Sequence, residues 1–239
     1  VEPNQPLDPT KDQRIGGALY AVAPAPDGSV WGTQLGYPGA IIRLSPGSNP
    51  PETAITEIFE PPLDKGYSPR GGDVDRNGVY WAAMASGHMA SFDRRKCKGP
   101  LNGPKATGQH CPEGWTFYTV PVPQFKGVTD SGSTEASYYT WVDQFDTLGL
   151  GANVPINTGN AAEALLALKD GKFVTMRVPY PLGFYTKWMD GRIDDPNAGW
   201  KGRGVWTTVS TRAPFHMETG KGTTSKVMKF QLRPGPLAK

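Results

Sequence analysis

The chain lacks any run of 18 consecutive apolar residues, which excludes a membrane-spanning helix by length alone. It also lacks a positively charged leader with an apolar core, so no signal peptide is expected in it. Starting at Val1 rather than Met, it reads as a processed product or an excised segment. No phosphate-cradling loop is present: Gly199 to Gly204 holds Lys201 but lacks the spacing and the following Ser or Thr. No nucleophile elbow, CxxC pair or haem-attachment motif occurs. Neither sign of charge dominates, with 25 Lys and Arg against 22 Asp and Glu. The densest basic run, Arg94-Arg95-Lys96-Cys97-Lys98, reads as a solvated turn. No recognition helix or RNA-stacking motif accompanies it, so no nucleic acid partner is expected.

Cysteine is almost absent too. The only two, Cys97 and Cys111, stand at the base of a Gly- and Pro-rich insertion, Lys98 to His110. Such an insertion has little core of its own. A disulfide at its neck would hold it shut and would place the protein in an oxidising compartment, periplasmic or extracellular. Two free thiols in a reducing compartment are the other reading.

Turn formers are abundant: 30 Gly and 24 Pro in 239 residues, beside seven Trp. A disordered chain would lack those aromatics, because it cannot bury enough apolar surface to offset chain entropy. Many tight turns joining short aromatic-rich strands fit better, and the fold class is all-β.

The strands recur. Asp27-Gly28-Ser29-Val30-Trp31 leads to Gly39-Ala40-Ile41-Ile42-Arg43-Leu44, and Asn77-Gly78-Val79-Tyr80-Trp81 leads to Gly87-His88-Met89-Ala90-Ser91-Phe92. Each copy runs on to a strand ending in Pro: Ile55 to Pro61, Trp115 to Pro121, and, further on, Lys172 to Pro179. A last Trp-bearing copy is Gly204-Val205-Trp206, followed by Ser225 to Leu232. Apolar residues alternate as in half-buried strands, and Asp27-Gly28, Asn77-Gly78 and Asp170-Gly171 are strong hairpin signals. Residues 160–169 read as a strand rather than a short helix, because Asp170-Gly171 follows directly. The spacing predicts a β-propeller with about four four-stranded blades, at 16–62, 68–123, 138–181 and 184–234. Residues 1–15 read as an extended lead-in and 124–137 as an inter-blade loop. An open arc of four blades would leave edges unpaired, so the blades are expected to be part of a larger ring, completed by further blades or a protein partner.

The Asp-Gly-x-x-Trp blade resembles that of the streptogramin-lyase-like propellers, the family of virginiamycin B lyase. Tyr139 to Asp146, Val178 to Tyr185, Asp190 to Pro196, Gly199 to Gly204 and Lys229 to Pro234 resemble a branch of large secreted bacterial members. The resemblance covers most of 16–239. It implies a propeller whose relatives open a cyclic depsipeptide by Mg²⁺-assisted elimination, using His and Glu on inner strands around the channel. At the positions after Trp31 and Trp81 this chain has Gly32-Thr33-Gln34 and Ala82-Ala83-Met84.

Candidate chemistry gathers in three places. His216 and Glu218, two apart, would share one face of a strand and act as base and orienter or hold a cation; Pro214 and Gly220 beside them equally suit a solvated loop. Asp190, Asp194 and Asp195 crowd an oxygen-rich turn suited to a divalent metal, Mg²⁺ or Ca²⁺, or to capping backbone amides. Trp188 and Trp200, with Arg203, lie outside the recurring Trp position of Trp31, Trp81 and Trp206, and are the ligand-binding candidates. Asp73 reads as part of an inner strand near a turn, and His88 as a solvated turn residue. The function expected first is ligand binding or protein assembly. A metal-assisted C–O lyase or lactone hydrolase is the alternative, and carbohydrate binding through Trp188 and Trp200 a third.

Overall fold

The computed structural model describes residues 18–50, 52–179, 184–209 and 226–238. Among these residues fifteen strands form four antiparallel sheets, each a simple up-and-down meander. The first holds β1 (Leu19–Pro24), β2 (Val30–Gln34), β3 (Ala40–Ser45) and β4 (Ile55–Phe59). The second holds β5 (Pro69–Val74), β6 (Tyr80–Met84), β7 (His88–Phe92) and β8 (Trp115–Thr119). The third holds β9 (Thr140–Asp143), β10 (Val154–Gly159), β11 (Ala164–Lys169) and β12 (Lys172–Arg177). The fourth has three strands among the described residues, β13 (Met189–Ile193), β14 (Arg203–Val209) and β15 (Lys226–Phe230), where the spacing led us to expect four.

An acid holds the first turn of each of the first three sheets. Asp27 accepts from Ser29 N at 3.0 Å, and Ser29 Oγ in turn accepts the Trp31 indole N–H at 3.0 Å. Asp75 accepts from Asn77 N, Val79 N and the Trp81 indole. Asp143 accepts from the amides of Phe145, Thr147 and Leu148. The glycines of the first two turns, Gly28 and Gly78, have φ of +79° and +77°, which favour a residue without Cβ. The acid of each turn thus fixes both the backbone reversal and, in the first two sheets, the indole that packs beyond it.

The sheets bury their faces against one another. Trp31, Ile41 and Phe59 of the first sheet pack on Val74, Tyr80 and Phe92 of the second. Trp141, Ile156 and Leu165 of the third pack on Met189 and Val205 of the fourth. The second and third meet through polar bonds: Asp73 accepts from Val142 N, Gln144 donates to Val74 O, and Gly71 N donates to Tyr138 O. Residues 120–139 cross between these two sheets without a strand. The Cys97–Cys111 disulfide closes its loop, and Cys111 joins the core between the first two sheets.

Two expectations change. Asp190 lies inside β13, paired with Trp206, rather than in a turn; five pairings with β14, and Met189 buried against the third sheet, draw Met189 to Ile193 into a strand. His88 opens β7 and is buried, edge-on to Phe117, with ring nitrogens at Ser86 Oγ and Ser131 Oγ. The crossing segment packs over the tip where His88 was expected to meet solvent. Burial holds its pKa below the ordinary value.

Candidate functional site

The first strands of the four sheets, β1, β5, β9 and β13, converge on a common axis. Their registers identify equivalent positions: Ala23 pairs with Trp31, Asp73 with Trp81, Trp141 with Ile156 and Asp190 with Trp206. Three residues upstream of these stand Tyr20, Arg70, Tyr138 and Lys187. All four meet at one mouth. Tyr138 is the centre: its ring lies 6.5 Å from that of Tyr20 and 5.5 Å from that of Tyr185. The Arg70 guanidinium lies 4.5 Å from the Tyr138 centroid and Lys187 Nζ lies 5.1 Å from it. A cation over an aromatic face is attracted by the ring quadrupole.

The backbone under these side chains is pinned. Thr158 Oγ1 accepts from the amides of both Tyr138 and Tyr139. Asn160 donates to Ala136 O and Thr186 O and accepts from Thr186 N, tying the approaches to Tyr138 and Lys187 together. Buried Glu135 accepts from Ala136, Ala161 and Ala162 amides and closes the β10–β11 turn beside them. Gly71 leaves room for the Tyr138–Tyr139 backbone: a Cβ there would lie 2.7 Å from Tyr138 O.

A cavity of about 360 Å³ opens at this mouth, lined by Tyr20, Ala21, Val22, Tyr139, Lys187 and Trp188. Val22 is 59% exposed and Trp188 42% exposed, so both present apolar surface to an incoming molecule. A second hollow of about 450 Å³ beside Pro121, Pro123, Glu163 and Arg177 has no aromatic wall, and its Arg177 already donates to Ala162 O.

Deeper along the axis the sign of charge changes. Asp73 and Asp190 lie three residues beyond Arg70 and Lys187, roughly 10 Å along an extended strand. Burial pushes the Asp73 carboxyl up to about 6, and Asp190 and Asp75 add repulsion, against the pull of the Val142 and Val74 amides. Tyr139, between the two acids, has its phenol pKa raised by burial and by both carboxylates. At the mouth, burial together with Tyr138 takes the Tyr185 phenol up to about 12.

The residues singled out in the sequence scatter. Trp188 is at the mouth. Trp200 and Arg203 are at the other end of the fourth sheet, where Arg203 pairs with Ile193 and donates to Asp146 O, and Trp200 O accepts from Gln231. Asp194 pairs with Lys229 at 2.6 Å and Asp195 caps Asn197 N, so Asp190, Asp194 and Asp195 are not brought together. Among the described residues no group of three or more His, Cys, Asp and Glu gathers as a metal ion requires. His216 and Glu218 lie outside the described residues. Tyr20, Arg70, Tyr138, Tyr185 and Lys187 were not singled out, although Tyr20, Arg70, Tyr138 and Lys187 each stand three residues before the inner-strand position.

Solved structures share this fold. Catalytically inactive virginiamycin B lyase from Staphylococcus aureus with quinupristin superposes with a TM-score of 0.52 at 13% identity, covering 93% of this chain and 58% of that one. The fold is a β-propeller. Selenomethionine-substituted virginiamycin B lyase from the same organism gives 0.50 at 14% identity, covering 90% and 55%. A Bacteroides caccae protein of unknown function gives 0.51 at 9% identity, covering 89% and 63%. The chain therefore spans less than two thirds of the length of these propellers. No protein-family profile and no curated protein sequence matches it. The four sheets are blades, and the mouth opens where their innermost strands begin.

Proposed function

We propose that this protein is a ligand-binding propeller module, periplasmic or extracellular, whose ligand seats at the axial mouth. One observation carries the reading: Tyr20, Arg70 and Lys187, from three blades, gather around the Tyr138 ring of another, and Tyr20 and Lys187 go on to line a cavity with Val22, Tyr139 and Trp188. A concave site with aromatic walls and a few convergent polar groups is the usual form of a small-molecule site. The disulfide supports an oxidising compartment.

The proposal extends to a further blade on the outward flank of the fourth sheet. There Trp206 holds the position through which Trp31 packs on the following sheet. The metal-assisted lyase or lactone hydrolase reading, with His216, Glu218 and a divalent ion, draws no support from the described residues.

The test is an NMR screen of small aromatic compounds against the ¹⁵N-labelled protein. Shifts confined to Tyr138, Tyr139, Lys187 and the Trp188 indole, lost in Trp188→Ala, support the reading. Hits that bind elsewhere, or that bind Trp188→Ala unchanged, overturn it.

A further inference from the structure

The mouth carries two cations and, among the described residues, no carboxylate paired with either. Among the described residues neither Arg70 nor Lys187 takes part in an ion pair, whereas Arg43, Arg94, Arg95 and Lys229 all do. Arg70 makes one hydrogen bond, to Ser137 O at 2.9 Å. A guanidinium carries five N–H donors in a planar fork, so most of its capacity for an anion is uncommitted. Lys187 contributes three donors and rests against the Tyr138 ring at the edge of the cavity.

Both cations lie within about 5 Å of one ring centroid, so they are no more than about 10 Å apart and repel one another. The rings of Tyr20 and Tyr138 partly shield them from water. Such a pair is relieved by a single negative group placed between them. The nearest fixed carboxylates on the same strands, Asp73 and Asp190, are three residues further down the axis. They set the opposite sign deeper in and would turn an anion back at the level of the cations.

The rest of the cavity wall is apolar or aromatic: Tyr20, Ala21, Val22, Tyr139 and Trp188. Its volume of about 360 Å³ suits a molecule of one or two fused rings rather than a polymer segment.

Taking the mouth to be the ligand seat, we propose that it selects a small aromatic carboxylate, the anion held between Arg70 and Lys187 and the flat body lying against Tyr20, Val22 and Trp188. Charge-assisted hydrogen bonds to a carboxylate are about twice as strong as neutral ones, so an ionised ligand should be strongly preferred over its neutral isostere.

The probes are 2-naphthoate and its neutral counterpart 2-naphthalenemethanol, titrated at pH 7.5 by calorimetry and by NMR. The acid should bind at least ten-fold more tightly than the alcohol, and the preference should shrink when salt is raised, as screening requires. In Arg70→Gln and in Lys187→Gln the preference should fall several-fold while the alcohol's affinity stays as in wild type. Each variant is first checked for an unchanged unfolding midpoint, and Lys187→Gln alone suffices if Arg70→Gln is unstable.

Equal affinity for the two probes, or a preference that survives both variants, overturns the inference. If both probes shift Trp188 and Tyr139 equally, the mouth is still the seat and only the charge selectivity falls. If neither probe shifts these residues, the seat and its selectivity fall together.

Discussion

Glu57 and Arg94, 37 residues apart in the chain, meet through two short bonds, Nε to Oε2 at 2.6 Å and Nη2 to Oε1 at 2.5 Å. Glu57 is on β4 of the first blade, and Arg94 opens the short helical turn Arg94–Lys96 that leads into the disulfide-closed insertion of the second. Arg43 adds a third contact at 3.3 Å, and the Glu57 side chain is 1% exposed. This carboxylate is therefore what docks the insertion onto the neighbouring blade.

Glu57→Gln should destabilise the protein by about 3 kcal/mol, because it leaves two guanidinium groups facing an amide in a water-poor site. Urea unfolding measures it. Arg95→Gln is the control: its pair with Asp93 has an Arg side chain 65% exposed, and the unfolding midpoint should not move. Equal effects from both substitutions would contradict the role given to Glu57.

Reducing the Cys97–Cys111 bridge frees a loop with a sequence separation of 14. The chain-entropy account gives a loss of about 3 kcal/mol. Unfolding curves with and without reductant measure the loss, and limited proteolysis should then cut between residues 98 and 110.

Asp73 makes stability depend on pH. Its folded pKa, about 6, stands above its ordinary value because of burial, so the folded state holds a proton that the unfolded state has released. The contribution is fully present below about pH 4 and is lost as pH rises through about 6, at most about 3 kcal/mol in all. Asp73→Asn should flatten that part of the profile between pH 4 and 7.5. A profile identical to wild type would show that another group sets it.

Asn160→Ala removes three hydrogen bonds, two of them fully buried, that tie Ala136 to Thr186. A loss of roughly 3 kcal/mol follows, since the stranded backbone groups have no water nearby. Hydrogen exchange should rise first at Tyr138, Thr186 and Lys187, and ligand affinity should fall with it. A uniform rise across all four blades would mean that Asn160 serves global stability alone.

How far the sequence could be read depended on what each residue interacts with. Blades were legible because Asp27-Gly28 and Asn77-Gly78 announce reversals, and Trp31 and Trp81 recur just beyond them at one offset; these are local signals. The strand at 164–169 was legible for the same reason, from Asp170-Gly171 after it. The mouth was not. Tyr20 and Arg70 fall at register shifts in β1 and β5, Tyr138 and Lys187 stand just before β9 and β13, and nothing local marks them. Only their contacts around the Tyr138 ring reveal that they meet. Asp190 misled because an Asp-Gly pair usually turns the chain, whereas here Gly191 is the site where Trp141 packs against β13. His88 misled because the segment that buries it arrives more than forty residues later.

The acid-held turns of Asp27, Asp75 and Asp143 sit at the far end of the inner strands from Tyr20, Arg70, Tyr138 and Lys187. What keeps each blade folded is thereby kept apart from what meets the outside. The mouth can be read as a four-letter word, Tyr-Arg-Tyr-Lys, with one letter per blade. Such a word can be respelled one blade at a time, so a library varied only at these four positions would change what the propeller recognises while every reversal that shapes the blades stays as it is.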